Sequence, residues 1–244
     1  MPIMEHLGQL RQVLVVSTIT ILTATSLVFG LWQKQAWNFV VGPLKEYDVA
    51  LVNIGLPEAL FAKFKVCLVA GILVSLPIIC WQVWSFLAPA LVERERKVVA
   101  LLAPMSILLF LAGASFAYWG VFGYAARFLL IIAGDDIKPM LSVGQYVSFL
   151  ISFLVPFGLI FELPLASYLL SRLEIITPGW LRRNRKYAIL GIFALSAVLT
   201  PTTDAISQLM MAGPMMVLYE ASVVVSRLSS PRRKMTCAPS SAGG

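Results

Sequence analysis

Charged residues divide this chain into long apolar windows. None lies between Arg11 and Lys34, between Lys65 and Glu93, or between Lys97 and Arg127. From Lys138 to Arg172 only Glu162 interrupts the run, and from Asp204 to Arg227 only Glu220 does. A shorter charge-free run lies between Lys186 and Asp204. Crossing about 30 Å of hydrocarbon takes about 20 apolar residues of helix. The windows predict six transmembrane helices, at about 12–33, 64–86, 98–123, 144–170, 187–199 and 205–226. A closed β-barrel can also span a membrane, but its strands alternate in polarity at period two. These segments are apolar on all sides, so the pattern predicts an all-α membrane protein.

Spans five and six are expected to be short. Thr200-Pro201-Thr202-Thr203-Asp204 reads as a turn. That leaves 187–199 as helix, reaching only about 20 Å. Such a hairpin must thin the bilayer or sink its outer turn, as expected of a protein that lets something through. Pro77, Pro104, Pro156, Pro164 and Pro214 fall inside spans, where proline bends a helix and neighbours re-satisfy the freed carbonyl. So many bends predict curved helices forming a concave bundle. Between spans one and two, 34–62 carries two turn signals, Gly42-Pro43 and Gly55-Leu56-Pro57, yet is rich in Leu, Val and Phe. It is expected to be an ordered outer cap, with Pro57 at the first position of a helix running on through Glu58. Residues 1–11 are expected to form a short interfacial helix. Residues 1–228 form the membrane domain, and 229–244, rich in Ser, Pro, Gly and basic residues, a disordered cytoplasmic tail.

Composition agrees with lipid as the solvent. Of 244 residues, 59% are apolar and 13% charged, against about a quarter charged in a soluble domain; mean hydropathy is +0.86. Six spans put both termini on one side. With that side cytoplasmic, 13 of the 19 Lys and Arg fall inside, as the positive-inside rule requires. The net charge of +7 then needs no nucleic acid to explain it. The first window begins too soon after Met1 for a cleavable signal.

Few residues offer chemistry. Cys67 and Cys80 lie in the second span and Cys237 in the tail, with no disulfide or metal spacing. His6 is the only histidine, and no zinc-protease, nucleophile-elbow or phosphate-loop motif is present. No enzyme activity, cofactor or metal is expected. Glu162, about mid-depth in span four, costs several kcal/mol unless protonated, hydrated or paired. It is a candidate contact for a passing or docking chain, or an acid bonded to a neighbouring helix. Asp204 suits the N-cap of span six, with Gln208 one turn on as a hydrogen-bonding group toward another helix. Glu220 either snorkels toward the interface or has a role. In Glu93-Arg94-Glu95-Arg96-Lys97 two carboxylates sit within a basic face, ready to receive a guanidinium.

Taken in order, these segments resemble the TatC family, the large subunit of the Sec-independent twin-arginine translocase, over about residues 4–228. The likeness is carried by His6-Leu7-Gly8-Gln9-Leu10-Arg11, by Phe86-Leu87-Ala88-Pro89-Ala90-Leu91 and by Glu95-Arg96-Lys97. It continues through Phe157-Gly158, Phe161-Glu162-Leu163-Pro164 and the run Arg182 to Tyr187. It closes with Leu199-Thr200-Pro201, Asp204, Ser207-Gln208, Pro214 and Tyr219-Glu220.

The resemblance implies a glove-like six-helix bundle that binds twin-arginine signal peptides at its cytoplasmic face. Export of folded proteins would then be driven by the proton-motive force across a bacterial inner membrane. It places Glu95 on the arginine pair, with Phe86 nearby and Gln9, Arg11 and Glu93 in the same region. Glu162 becomes the intramembrane acid. Thr200, Asp204 and Gln208 become the docking region for single-spanning subunits of the TatA or TatB type. Lipid and further copies of the chain are the other implied partners. Where the family commonly carries glutamate, this chain has Gln9, which accepts a hydrogen bond but supplies no charge. The rival reading is a proton-coupled small-solute transporter using Glu162. It would need several polar groups at the midplane, and internal repeats are the usual sign of such a design; the chain shows no repeat.

Overall fold

The computed structural model describes residues 3–45, 50–87, 96–125, 127, 140–173, 175–200 and 205–229. Helix α1 (Ile3–Leu27) passes through a wider π-type turn at Val28–Trp32 into α2 (Gln33–Lys45). Strand β1 (Ala50–Val52) precedes α3 (Glu58–Leu87). Helix α4 (Arg96–Ser115) ends in a second wide segment, Phe116–Phe122. Strand β2 (Met140–Ser142) leads into α5 (Val143–Ile160), which α6 (Leu163–Arg172) continues after a turn. Short α7 (Pro178–Arg183), α8 (Arg185–Leu199) and α9 (Ala205–Ser229) complete the described residues. Among the described residues five stretches are long and apolar enough to cross a membrane, and they overlap the first four and the last of the predicted spans.

Several boundaries differ from expectation, each for a local reason. Residues 3–11 are the first turns of span one, continuous with it, and do not form a separate helix. The Gly42-Pro43 turn does not form; Pro43 sits inside α2. A proline at 43 leaves the Phe39 carbonyl without its helical donor. The Tyr118 hydroxyl donates to that carbonyl instead, and the Tyr146 hydroxyl donates to Val40 O at 2.7 Å. The helix survives because the Tyr118 hydroxyl replaces the one missing donor, while the Tyr146 hydroxyl ties down the same turn. Pro57 stands one place before the helix, its carbonyl accepting from Phe61 N at 3.0 Å. Glu58 is the first helical residue and turns its carboxylate back onto the N–H groups of Ile54 and Gly55, at 2.9 and 3.1 Å.

Span four is two helices. Proline disfavours helix in the residue before it and supplies no N–H. Pro164 therefore breaks the span at Phe161-Glu162, where the Glu162 N–H bonds Leu159 O in a tight turn at 3.1 Å. Span five is short, as expected: α8 has 15 residues, about 22 Å. Span six is not short. It runs 25 residues, about 37 Å. Serines hold its last turns in place. Ser167 Oγ donates to Ser222 O at 3.0 Å, Ser171 and Ser226 hydroxyls meet at 2.6 Å, and Ser229 Oγ donates back to Val225 O at 2.7 Å. The expected disordered tail lies outside the described residues beyond Ser229.

The main core joins α2, α3, the wide turn after α4, α5 and α9 around Phe122, Phe153, Phe157, Met211 and Met215, all fully buried. A smaller core packs Trp84, Leu102, Ala103, Leu165 and Leu169 between α3, α4 and α6. Close helix contacts use glycine, as membrane bundles do. A methyl at Gly71 of α3 would lie 2.7 Å from Thr25 Cα of α1, and one at Gly158 of α5 would lie 2.6 Å from Phe110 Cζ of α4. Beyond one end of the bundle, β1 pairs in parallel with β2, Ala50 opposite Met140 and Val52 opposite Ser142. Glu58 locks this cap, accepting from the Ser142 hydroxyl and, at 2.8 Å, from Gly144 N.

Candidate functional site

Helices α1 and α3 run antiparallel and cross at Thr25 and Gly71. Gln9 precedes Thr25 by about as many residues as Phe86 follows Gly71. At about 1.5 Å per residue both therefore lie at the bundle end opposite the strands. Gln9 and Phe86 are half-buried there and Arg11 is exposed. Glu93 and Glu95 lie outside the described residues, in the link between Leu87 and Arg96. The same end carries α7 and its two arginines, Arg182 and Arg183. It also holds an unanticipated ion pair: Arg185, at the start of α8, bonds Glu220 of α9. Glu220 is thus partnered, not simply extended toward the interface. Alongside it the Tyr219 hydroxyl donates to Leu181 O at 2.8 Å, tying α9 to α7.

Glu162 stands at the joint between α5 and α6, nearer Arg172 than Val143. Ser106 of α4 donates to its Oε2 at 2.9 Å, and the Trp84 indole of α3 donates to Ser106 Oγ at 2.9 Å. Oε1 is buried without a partner among the described residues. The acid therefore bonds a neighbouring helix through one oxygen only. Neither Ser106 nor Trp84 was singled out in the sequence. The available signal was the indole N–H of a tryptophan inside an apolar window, since a buried indole N–H seeks an acceptor.

At the α8–α9 hairpin, Thr200 caps α8, buried, with its hydroxyl donating to Ser196 O at 2.8 Å. Gln208 Nε2 donates to Phe193 O at 3.1 Å. The hydrogen bond expected of Gln208 thus goes to the other arm of its own hairpin. Asp204 lies outside the described residues. Among the described residues no group of three His, Cys, Asp or Glu is placed to hold a metal ion. Cys67 is buried and Cys80 half-buried, both unpaired; Cys237 lies outside the described residues.

The family model for TatC, the Sec-independent protein translocase protein, matches residues 5–214. The chain belongs to the TatC family. Its relatives include the Sec-independent protein translocase protein TatC of Carboxydothermus hydrogenoformans, 43% identical over 95% of both chains. The TatC of Aquifex aeolicus is 37% identical over 96% of this chain and 98% of its own. A crystal structure titled as the twin-arginine translocase receptor TatC superposes with a TM-score of 0.84 at 36% identity, covering 92% of this chain and 99% of that one. Membership in a translocase family lends no support to the small-solute transporter reading. Glu162 in this TatC chain belongs to a protein-translocating bundle, and among the described residues its carboxylate accepts from Ser106, which in turn accepts from Trp84.

Proposed function

We propose that this chain is the receptor and core subunit of a twin-arginine translocase in the bacterial inner membrane. It binds twin-arginine signal peptides at its cytoplasmic face and supports export of folded proteins driven by the proton-motive force. The observation that carries this reading is the likeness to the solved receptor over nearly the whole of both chains. Both termini face the cytoplasm, so the end that holds Gln9, Arg11 and Phe86 receives the signal. Glu95 binds the arginine pair there, with Glu93 beside it, because a guanidinium pairs bidentately with carboxylate. Residues 1–228 form the membrane domain and 229–244 its tail. Single-spanning Tat subunits dock along the α8–α9 hairpin at Thr200, Asp204 and Gln208, and several copies of the chain assemble within the complex.

The test is binding of a twin-arginine signal peptide, against a twin-lysine control, to the purified chain in nanodiscs. The expected result is an arginine preference that Glu95→Ala abolishes and Glu162→Ala leaves intact while blocking a later step. A folded chain that binds both peptides equally would sink the receptor reading. Equal loss of binding in both variants would overturn this division of labour.

A further inference from the structure

A tryptophan buried among helices leaves its indole N–H in need of an acceptor, and a buried carboxyl needs partners for both oxygens. The two needs meet at Ser106. Trp84 is 6% exposed and Ser106 4%. The indole can only donate, and a serine hydroxyl carries one proton. With Trp84 giving its N–H to Ser106, the Ser106 proton is directed at Glu162 Oε2. The chain of bonds crosses three elements, from α3 through α4 to the α5–α6 joint. Leu102, Ala103, Leu165 and Leu169 pack about Trp84 and hold the ring. Oε1 is then the one carboxyl atom without a hydrogen bond among the described residues.

We propose that Trp84 and Ser106 are positioning residues for Glu162. They occupy one carboxyl oxygen and leave the other for a polar side chain brought by an incoming transmembrane helix. The half-met carboxyl is stable enough to stay in place and still gains a hydrogen bond when a partner arrives. This inference rests on the translocase reading, in which Glu162 serves a step after signal binding.

The test is infrared spectroscopy of the full chain in nanodiscs, paired with transport of a twin-arginine cargo in membrane vesicles. The Glu162 carboxyl band is identified by its loss in Glu162→Gln. It should shift in Ser106→Ala and Trp84→Phe, and stay in place in Ser106→Thr, which keeps the hydroxyl. Transport should slow roughly threefold to tenfold in Ser106→Ala, as expected for one hydrogen bond in a bundle. Signal-peptide affinity should be unchanged, and Ser106→Thr should restore the rate. An unmoved band in both Ser106→Ala and Trp84→Phe overturns the proposal, and so does a shifted band with undiminished transport. Loss of arginine preference in the unsubstituted chain would instead overturn the receptor reading and leave the band shifts standing.

Discussion

Gly71→Ala adds one methyl group where α1 and α3 cross. That carbon would lie 2.4 Å from Thr25 Oγ1, 2.7 Å from Thr25 Cα and 2.8 Å from Thr25 N, against 3.4–4 Å for ordinary contact. Two of the three atoms are backbone, so no rotamer change relieves the clash, and the helices must part by about 1 Å. Overpacking of this kind costs about 1–3 kcal/mol, and a backbone obstacle places it near the middle of that range or above. For a chain of this size about 2 kcal/mol lowers the melting temperature by roughly 4–8 °C. The assay is thermal unfolding in detergent, followed by tryptophan fluorescence, with Thr25→Ala as the second site. Thr25→Ala removes only the Oγ1 approach, so the double variant should recover little. Gly158→Ala provides the contrast. The three atoms nearest its methyl would all be ring atoms of Phe110, at 2.6, 2.7 and 2.9 Å, so in a Phe110→Ala background most of its cost should vanish. Full recovery of Gly71→Ala by Thr25→Ala would refute the claim that backbone sets the helix spacing.

Two further outcomes follow from the two ends of the bundle. Glu58→Ala removes the shared acceptor of Ile54 N, Gly55 N and Gly144 N, so those three amides should exchange hydrogen faster while amides in the middle of α3 keep their protection. The Arg185–Glu220 pair is about half exposed; Glu220→Ala should therefore change stability by at most about 1 kcal/mol. A charge swap of both residues should restore any loss, with no rescue at all counting against a direct pair.

Charge-free windows located the spans because hydrocarbon tolerates few charges, and that constraint acts on each segment separately. For the same reason the shortness of α8 and the presence of an acid within span four could be read without coordinates. Events that depend on a distant neighbour were out of reach. Gly42-Pro43 is a turn signal in isolation, and only Tyr118 and Tyr146, far along the chain, overrule it. Ala50–Val52 becomes a strand because Met140–Ser142 lies beside it. Glu162 announced itself, whereas its partners did not. A serine in an apolar helix most often bonds its own backbone, and only the fold aims Ser106 at the acid.

Helix α8, at 15 residues, offers about 22 Å of insulation where the surrounding bilayer offers about 30 Å. The voltage across an energised membrane is the same at every point of its surface, about 2.3 kcal/mol per charge at 100 mV. Where the bilayer thins to match that helix, the field beside α8 becomes about a third steeper than elsewhere. A charged segment crossing beside α8 would then feel a stronger pull over a shorter stroke and cross less low-dielectric material on the way. The short helix is thereby the electrical weak point of the bundle.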